Sequence, residues 1–546
     1  MVHPTDESFA ELVRGLAQPD AYPAEAGPES GVRHVQTHIS HVFILGRHVY
    51  KLHKPVTMSF IDFATRAERN ADCVREVTLN RRLAPDVYLG IAPVAVRDGR
   101  VEIGGVRETL AVGVDDGEEA PEHCVVMQRL PDGRDAQTLI ERGELGAAEI
   151  ESFADLLAEF HREHALPARA DDRAWCERVE APVRDTLQAL ERCPLSDDDR
   201  RCLAQLRDRL ARFMAAHRLD FAARARAGRI VDGHGDLHLQ HIWYPRAGSG
   251  PIAVDCLEFR DDFRHIDAAS DVAFLAMDLR YRDRADLAHL LLERYANAAD
   301  DFDLYTVVDY YVAHRAAVRA RVAWAAASED DIPPEQRARA AVSGSRHLAL
   351  AAAALEPRRP GAWVAVAGPV GSGKSTVARA ISAELDGVVV SSDRVRKHLF
   401  GVGPLDRAEG GDNLGLYSAE MTEATYAGLV ERAATIARAG RTAVLDATFS
   451  ARFERDLLLR TARAIGIQPT LVLCSCAHDV ARARVAARAH RDDDPSDAGI
   501  EVFEESARAY APPDRWPGPR LLVQTDQDGW QRALLDRLTK APTKLR

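Results

Sequence analysis

The chain has 546 residues, 46% of them hydrophobic and 28% charged, which fits roughly two to four globular domains and excludes a fibrous or disordered chain. Its formal net charge of -13 disfavours nucleic acid and anionic membranes as general partners. The first residues form no signal peptide, no apolar run reaches membrane-spanning length, and the eight cysteines are scattered, so we expect a cytoplasmic protein with free thiols.

The first 350 residues predict a mainly β region followed by a mainly helical region. A helix is expected over about residues 66–83, and helical periodicity dominates from about residue 150 onward. One short β-rich island, residues 230–259, interrupts the later helices. The strands predicted for the first region are Val42–Leu45, His48–Leu52, Val94–Arg97, Val101–Ile103 and Cys124–Arg129.

The β-rich island contains the most informative motif of this region. It reads His234-Gly235-Asp236-Leu-His-Leu-Gln-His241, and Asp255 follows nineteen residues after Asp236. This segment resembles the H-G-D-L-H-x-x-N catalytic loop of the aminoglycoside phosphotransferases, relatives of protein kinases with a bilobal α+β fold. The resemblance implies that Asp236 is the catalytic base for an acceptor hydroxyl and that Asp255 holds Mg²⁺ on the transferring phosphate. The alternative is a turn without catalytic function.

The same resemblance assigns two nucleotide-binding residues upstream. Lys51 ends an alternating strand and would contact the α- and β-phosphates of ATP. Glu76 lies on the helix over residues 66–83 and would be the ion-pair partner of Lys51. A strand over residues 125–130 would lead into a hinge that holds adenine. The alternatives are a surface charge for Lys51 and a solvated helix residue for Glu76.

Two features depart from the family pattern. His241 stands where the family has a second metal-binding Asn, and imidazole is a poor ligand for Mg²⁺. Either His241 ligates the metal in an altered arrangement, or Glu258 compensates, or His241 is structural and donates to a backbone carbonyl of the loop. In addition, residues 37–43 before Lys51 contain no glycine-rich loop. The kinase-like site is therefore either active or degenerate.

A domain boundary is expected near residues 357–361. The sequence Glu-Pro-Arg-Arg-Pro-Gly ends an Ala/Leu-rich helical stretch, and two prolines and a glycine stop a helix. We therefore predict a kinase-like domain over residues 1–350, a linker over residues 351–360, and an α/β P-loop domain with a parallel sheet over residues 361–546.

The segment that opens this last domain matches the phosphate-binding pattern G-x-x-x-x-G-K-[ST]. A predicted strand precedes it and a predicted helix over residues 375–385 follows it, as the motif requires. Lys374 should contact the β- and γ-phosphates of ATP, and Ser375 should bind Mg²⁺. The predicted nucleotide-binding residues are Gly368, Gly371, Ser372, Gly373, Lys374, Ser375 and Thr376.

The residues that follow resemble those of the small P-loop kinases, a group that contains gluconate kinase and the zeta-toxin kinases. Asp393 and Arg396 form a D-x-x-R pattern in which the carboxylate would activate the acceptor and the arginine would hold its anionic part. Asp446, at a strand end, would be the second magnesium residue. Arg484 and Arg488 resemble a lid that closes on the phosphates. The alternatives are an N-cap aspartate and solvated arginines.

The whole chain resembles bacterial proteins that join an aminoglycoside phosphotransferase-like domain to a P-loop ATP-binding domain, a group often called AAA-family ATPases. The resemblance implies a bifunctional kinase of small-molecule hydroxyl groups that uses ATP and Mg²⁺. A nucleotide sensor with a degenerate kinase-like lobe and a nucleic-acid end kinase are the alternatives. The oligomeric state is not predicted. Stretches that carry the resemblance are Val49–Phe63, Asn80–Gly90 and Phe263–Leu279.

Overall fold

The protein divides into two compact units. One unit comprises Met1–Ala168 and Ala227–Asp278, and the other comprises Arg169–Arg226 and Leu279–Arg546. The predicted linker at residues 351–360 and the predicted domain bounds stay predictions. The computed structural model describes residues 4–22, 31–58, 61–97, 99–110, 121–246, 248–403, 415–488, 503–504, 507–508, 510–513 and 516–540.

The first unit begins with an antiparallel sheet of six strands in the order β1-β2-β3-β8-β6-β7. All five predicted strands are present, and β6 is longer than predicted. β1 was missed because its four residues are all exposed and give no apolar pattern. Helix α1, Pro4–Leu16, precedes the sheet, and a small hairpin of β4 and β5 follows β3. The strands are β1 Arg33–Gln36, β2 Ser40–Leu45, β3 His48–His53, β4 Thr57–Met58, β5 Ile61–Asp62, β6 Tyr88–Arg97, β7 Arg100–Ile103 and β8 Glu122–Gln128.

Helix α2, Arg66–Asn80, packs on this sheet and carries Glu76. A capping box starts the helix: the Thr65 hydroxyl accepts from the Glu68 backbone N–H, and the Glu68 carboxylate accepts from the Thr65 N–H. The helix ends three residues before the predicted position, since Pro85 lies just beyond and proline disfavours helical geometry in the residue before it.

The remainder of the first unit contains the predicted β-rich island as two small antiparallel pairs. Strand β9 pairs with β12, and β10 pairs with β11. The loop with the H-G-D motif joins β9 to β10, so the two small strand pairs hold the loop at both ends. The elements are α3 Ala136–Glu141, α4 Ala147–Glu163, β9 Ile230–Asp232, β10 Ile242–Trp243, β11 Ile252–Ala253, α7 Asp261–Arg264, β12 His265–Asp267 and α8 Ala268–Tyr281.

The second unit combines a group of helices with a parallel sheet of five strands in the order β14-β15-β13-β16-β17. Every pair in this sheet is parallel, and apolar side chains bury both faces of its central strand β13. The predicted kinase-like and P-loop fold classes are both confirmed. Within the described residues, no helix has the length and apolar character needed to cross a membrane.

The helix after the phosphate loop starts one residue earlier than predicted. The helices are α5 Asp172–Glu191, α6 Asp197–Arg226, α9 Ala285–Ala299, α10 Val308–Ala327, α11 Pro334–Ala354, α12 Lys374–Leu385, α13 Ser392–Phe400, α14 Ala419–Arg438, α15 Arg452–Ala464, α16 His478–Arg488 and α17 Trp530–Lys540. The strands are β13 Trp363–Ala367, β14 Val388–Ser391, β15 Ala443–Asp446, β16 Thr470–Ser475 and β17 Arg520–Gln524.

Candidate active sites

Lys51 is held between two carboxylates in the first unit. Strand β3 pairs with β2 and β8 and carries Lys51 in the sheet interior. Its Nζ donates to Glu76 Oε1 at 2.9 Å and to Asp255 Oδ1 at 3.2 Å. Glu76 is fully buried. The structure therefore brings together the three residues that the resemblance assigned to nucleotide and metal, and it excludes a solvated surface position for Lys51 and Glu76.

The ammonium of Lys51 and the neighbouring carboxylates stabilise one another's charged forms. Burial alone would lower the pKa of Lys51, but the carboxylates of Asp255, Glu76 and Glu258 outweigh it and raise the pKa well above its usual value. The ammonium of Lys51 in turn lowers the pKa of Asp255 to about 2. Lys51 is therefore a cation and Asp255 an anion at neutral pH.

Asp255 has an unusual backbone conformation, with φ of 62° in the left-handed region. Two neighbouring side chains hold the segment. The Asp255 N–H donates to the Tyr88 hydroxyl at 3.1 Å, and the Cys256 N–H donates to Asn80 Oδ1 at 2.9 Å. Strained backbone persists where surrounding contacts fix it, and such positions cluster at functional sites. The end of α2 and the start of β6 thus aim the Asp255 carboxylate at Lys51.

The conformation of the H-G-D loop depends on Asp271 in α8, a residue that the sequence interpretation missed. Its carboxylate accepts from the backbone N–H groups of His234 at 2.6 Å and Gly235 at 2.9 Å. Gly235 has φ of 84°, and a Cβ there would lie 2.7 Å from the carbonyl oxygen of Phe263. Asp271 lies in the 263–279 stretch that carried the family resemblance, which is the signal that could have identified it.

Asp236 is ionised at neutral pH. Burial would raise its pKa, but hydrogen bonding from His238 and the fields of nearby imidazoles outweigh burial and lower the pKa well below its usual value. His238 Nε2 lies 3.5 Å from Asp236 Oδ2, and the side chain of Asp236 is 32% exposed. An ionised, partly exposed carboxylate accepts hydrogen bonds, as a group that orients a hydroxyl must.

His241 contacts both aspartates with different nitrogens. Its Nδ1 lies 2.9 Å from the backbone carbonyl oxygen of Asp236, and its Nε2 lies 3.5 Å from Asp255 Oδ2. The contact with a backbone carbonyl, expected under the structural alternative for His241, is present. Burial, and then His238, lower the pKa of His241 to about 4, so the ring is neutral at neutral pH.

A divalent cation that accompanies ATP fits Asp255, whose side chain is 52% exposed and ionised. His241 is the second group that would hold it. Glu258 is buried. Burial and nearby carboxylates raise its pKa well above the usual value, against the effect of Lys51. Its compensation for the missing Asn stays a prediction.

The phosphate loop of the second unit lies between β13 and α12, as predicted. Gly371 and Gly373 have φ of 76° and 86°, so both positions require glycine. A Cβ on Gly368 would lie 2.5 Å from the carbonyl oxygen of Cys474 on β16. Lys374 Nζ donates to the carbonyl oxygen of Pro369 at 3.0 Å, which folds the ammonium over the loop. The loop has the geometry that exposes backbone N–H groups to a phosphate.

Three predicted site residues act on the carboxylate of Asp446 at the end of β15. Burial raises the pKa of Asp446, while Lys374 and a hydrogen bond with Ser375 lower it, and the charge of Asp393 in the first turn of α13 raises it further. A hydroxyl and a carboxylate in contact fit the oxygen ligands that Mg²⁺ prefers.

The three predicted arginines are in different situations. Arg396 is buried, and its Nη1 donates to the carbonyl oxygen of Leu416 at 3.1 Å and to Thr422 Oγ1 at 3.2 Å. Arg484 donates to Oγ1 and to the carbonyl oxygen of Thr525, at 2.8 and 3.0 Å. Arg488 ends α16, and its side chain lies outside the described residues. Their roles toward substrate and phosphates stay predictions.

Thr525 links Arg484 to the phosphate loop. Its hydroxyl donates to the carbonyl oxygen of Ser372 at 2.8 Å. A Cβ on Gly373 would lie 3.1 Å from that hydroxyl and 3.2 Å from Arg484 Nη1. Sequence reasoning missed Thr525, because a single threonine after β17 forms no recognisable motif.

Comparison with known proteins identifies relatives along most of the chain. Residues 364–513 match the family model described as an AAA domain. Over 496 residues the chain is 31% identical to an uncharacterized protein of Mycobacterium tuberculosis and to one of Mycobacterium bovis, across 90% of this chain and 92% of each relative. The chain belongs to the family of these mycobacterial proteins. In this member the predicted fusion of a kinase-like fold with a P-loop kinase-type domain is confirmed.

Solved structures are similar to parts of this family member. Choline kinase of Cryptosporidium parvum is 11% identical, with a TM-score of 0.38, and the match covers 62% of this chain and 94% of the kinase. The APS kinase of Mycobacterium tuberculosis is 22% identical, with a TM-score of 0.25, over 34% of this chain and 99% of that kinase. A gluconokinase of Sinorhizobium meliloti is 20% identical, with a TM-score of 0.22, and the match covers 33% of this chain and 95% of the gluconokinase.

Proposed function

We propose that the protein is an ATP-dependent phosphotransferase that acts on hydroxyl groups of small molecules and has two nucleotide sites. The observation that carries the proposal is the placement of Lys51 between Glu76 and Asp255, with Asp236 bridged to Asp255 through His241. Phosphoryl transfer needs a cation on the phosphates, a carboxylate for a metal and a carboxylate for the acceptor, and this group supplies all three.

In the kinase-like site, Lys51 holds the α- and β-phosphates, and Glu76 fixes the position of its ammonium group. A divalent cation bound by Asp255 supplies positive charge to the transferring phosphate. Asp236 accepts a hydrogen bond from the acceptor hydroxyl and takes its proton. The acceptor oxygen bonds to the γ-phosphorus, the bond to the β,γ-bridging oxygen breaks, and ADP leaves.

In the P-loop site, backbone N–H groups of residues 371–375 and the Lys374 ammonium hold the β- and γ-phosphates. Ser375 and Asp446 hold the cation. Asp393 accepts the proton of the second acceptor, and Arg396 binds an anionic part of it. Arg484 and Arg488 close over the phosphates when the substrate is bound.

Transfer of labelled phosphate from γ-labelled ATP to a metabolite extract tests the proposal. The full chain, Lys374→Ala, Asp236→Asn and the double variant are compared, with the exposed Asp286→Asn as a matched control. We expect the full chain and the control to label two sets of products. Each single variant should lose one set, and the double variant should lose both.

The second candidate function is a nucleotide sensor with a degenerate kinase-like lobe. The imidazole of His241 at the position of a metal-binding Asn favours it. If this function is correct, ATP hydrolysis or binding should be lost in Lys374→Ala. Asp236→Asn should change no labelled product. Phosphate transfer lost in Asp236→Asn would exclude the sensor and support the kinase.

A further inference from the structure

We propose that the cation site of the kinase-like domain is formed by His241 Nε2 and Asp255 and binds a transition-metal dication such as Mn²⁺ in preference to Mg²⁺. The inference rests on the proposed phosphotransferase site, but it concerns the metal and can be tested without turnover.

The hydrogen of His241 is on Nδ1. That nitrogen lies 2.9 Å from the backbone carbonyl oxygen of Asp236, and a carbonyl only accepts. The ring is further fixed by its own backbone, because the Val254 N–H donates to the His241 carbonyl at 2.9 Å. His238 packs against it with ring centroids 3.9 Å apart. With its hydrogen on Nδ1, the ring leaves the lone pair of Nε2 for a metal.

That lone pair faces a carboxylate oxygen. Nε2 of His241 and Oδ2 of Asp255 are 3.5 Å apart, and Asp255 is ionised because Oδ1 pairs with Lys51. Both atoms are metal-ligand atoms, and their positions allow one ion to bind to both. Two ligands that are each about 2.1 Å from a metal lie roughly 3.0 Å apart at an octahedral ion and roughly 3.4 Å apart at a tetrahedral ion, so both atoms reach one ion after a small side-chain adjustment.

A second group of possible ligands lies beside this pair and shares His241 with it. Asp236, His238 and His241 offer ligand atoms within 4.8 Å of one another. In that set the Nδ1 hydrogen of His241 is already committed to the Asp236 carbonyl, so Nε2 is the atom available to a metal. Asp255 is half exposed and open to an ion from solution, while Asp236 remains free to orient the acceptor.

The donor set determines the metal. Mg²⁺ prefers an all-oxygen shell, whereas imidazole nitrogen suits Zn²⁺, Cu²⁺, Fe²⁺ and Ni²⁺, and Mn²⁺ accepts a nitrogen ligand more readily than Mg²⁺ does. Replacing an amide oxygen by Nε2 therefore weakens selection for Mg²⁺ and strengthens selection for borderline ions. The departure from the family pattern at residue 241 is then a change of metal preference rather than a loss of function.

The experiment uses the nucleotide-free full chain with MnCl₂ and MgCl₂ as probes. Competition titration should give affinity for Mn²⁺ about tenfold or more above that for Mg²⁺. Pulsed electron paramagnetic resonance of bound Mn²⁺ should show coupling to a directly bonded ¹⁴N, and labelling the histidines with ¹⁵N should change it to the ¹⁵N pattern. These measurements on the unmodified chain do not depend on the folding of any variant.

Two variants test whether the nitrogen coupled to Mn²⁺ belongs to His241. His241→Asn supplies an amide oxygen, so the nitrogen coupling should disappear and the Mn²⁺/Mg²⁺ affinity ratio should fall about tenfold. His217→Asn is the matched control, because its Nδ1 also lies beside a carboxylate, 2.8 Å from Asp220 Oδ2, on the exposed side of α6. It should leave both readouts unchanged.

Absence of nitrogen coupling in the unmodified chain, or a coupling that persists in His241→Asn, overturns the proposal. Persistence in His241→Asn with loss in His34→Asn would instead place the ion at the exposed His34–His41 pair, whose ring nitrogens are 2.9 Å apart. A chain that binds Mn²⁺ through His241 and transfers no phosphate would contradict only the proposed function, so the two failures are distinguishable.

Discussion

Arg441 donates from Nη2 to both carboxylate oxygens of Asp309, at 2.8 and 3.0 Å, and both side chains are buried. Arg441 precedes β15 in the parallel sheet, and Asp309 lies in the first turn of α10. Burial would raise the pKa of Asp309, but Arg441, Arg358 and Arg280 outweigh it and lower the pKa. An ionised pair therefore connects the helical part of the second unit to its nucleotide-binding sheet.

Asp309→Ala should lower the free energy of unfolding by about 3–5 kcal/mol, the usual effect of leaving one buried charge without its partner. Urea unfolding of the full chain, followed by fluorescence, measures the change. The matched control is Asp286→Ala, which breaks the exposed pair with Arg284 and should cost less than about 1 kcal/mol. Equal effects of the two variants would mean that the Arg441–Asp309 pair contributes no more than a surface contact.

Lys374→Ala should remove ATP binding at the P-loop and leave binding at the kinase-like site. The ammonium is the side-chain cation of the loop, and its loss removes the charge that the β- and γ-phosphates require. Isothermal titration of the full chain should show the ATP stoichiometry falling from about two to one. An unchanged stoichiometry would show that residues 368–376 do not form a nucleotide site.

Asp393→Asn should reduce kcat for the P-loop acceptor by about 10²–10⁴-fold while the affinity for ATP stays within about twofold. A base acts on the acceptor in the transition state and contacts no phosphate of the nucleotide. Steady-state kinetics and ATP titration separate the two quantities. Asp386→Asn, at the exposed end of α12, is the control and should change neither. If ATP affinity falls together with kcat, Asp393 belongs to the nucleotide site.

Local motifs explain what the sequence could predict. The strand, loop and helix around Lys374 follow from one contiguous pattern. The pairing of Lys51 with Glu76 followed only from the family resemblance, since the two residues are 25 positions apart on different elements. The exposed strand β1 carries no apolar signal and was missed. Sequence thus predicted elements with strong periodicity and contacts that a known motif implies.

Contacts between distant elements were not predictable. Glu293 on α9 accepts from the Val389 backbone N–H at 3.1 Å and from the Ser382 hydroxyl at 2.8 Å. A helical glutamate gives no sign that its partner is a strand about 100 residues later. The hydrogen bond from the H-G-D loop to Asp271 is another contact between residues that are distant in the sequence. Such contacts depend on the packing of whole elements, which single-sequence patterns do not determine.

A buried cluster of acids behind Lys51 gives a pH-dependent prediction. Asp72, Glu76 and Glu258 are buried, and burial raises the pKa of each against the opposing charge of Lys51 or Arg75. For Glu258 the carboxylates of Glu76, Asp72 and Asp255 raise the pKa further. The folded protein therefore holds the Glu258 proton to a higher pH than the unfolded chain does, in which the pKa is about 4.3.

Glu258→Gln should consequently stabilise the protein, relative to the unmodified chain, increasingly as pH rises above the unfolded pKa of about 4.3. Because the folded state binds more protons than the unfolded state in this range, the free energy of unfolding of the unmodified chain falls with pH, by at most about 1.4 kcal/mol per pH unit for one group. Below about pH 4 both states are protonated and the contribution of Glu258 is constant. Glutamine stays neutral and removes this dependence.

Thermal melts of both chains across the pH range measure the difference. The control Glu159→Gln, on the exposed face of α4, should show the same pH dependence of stability as the unmodified chain. Parallel curves for Glu258→Gln would mean that Glu258 is ionised in the fold, and that Lys51 then outweighs burial at this position.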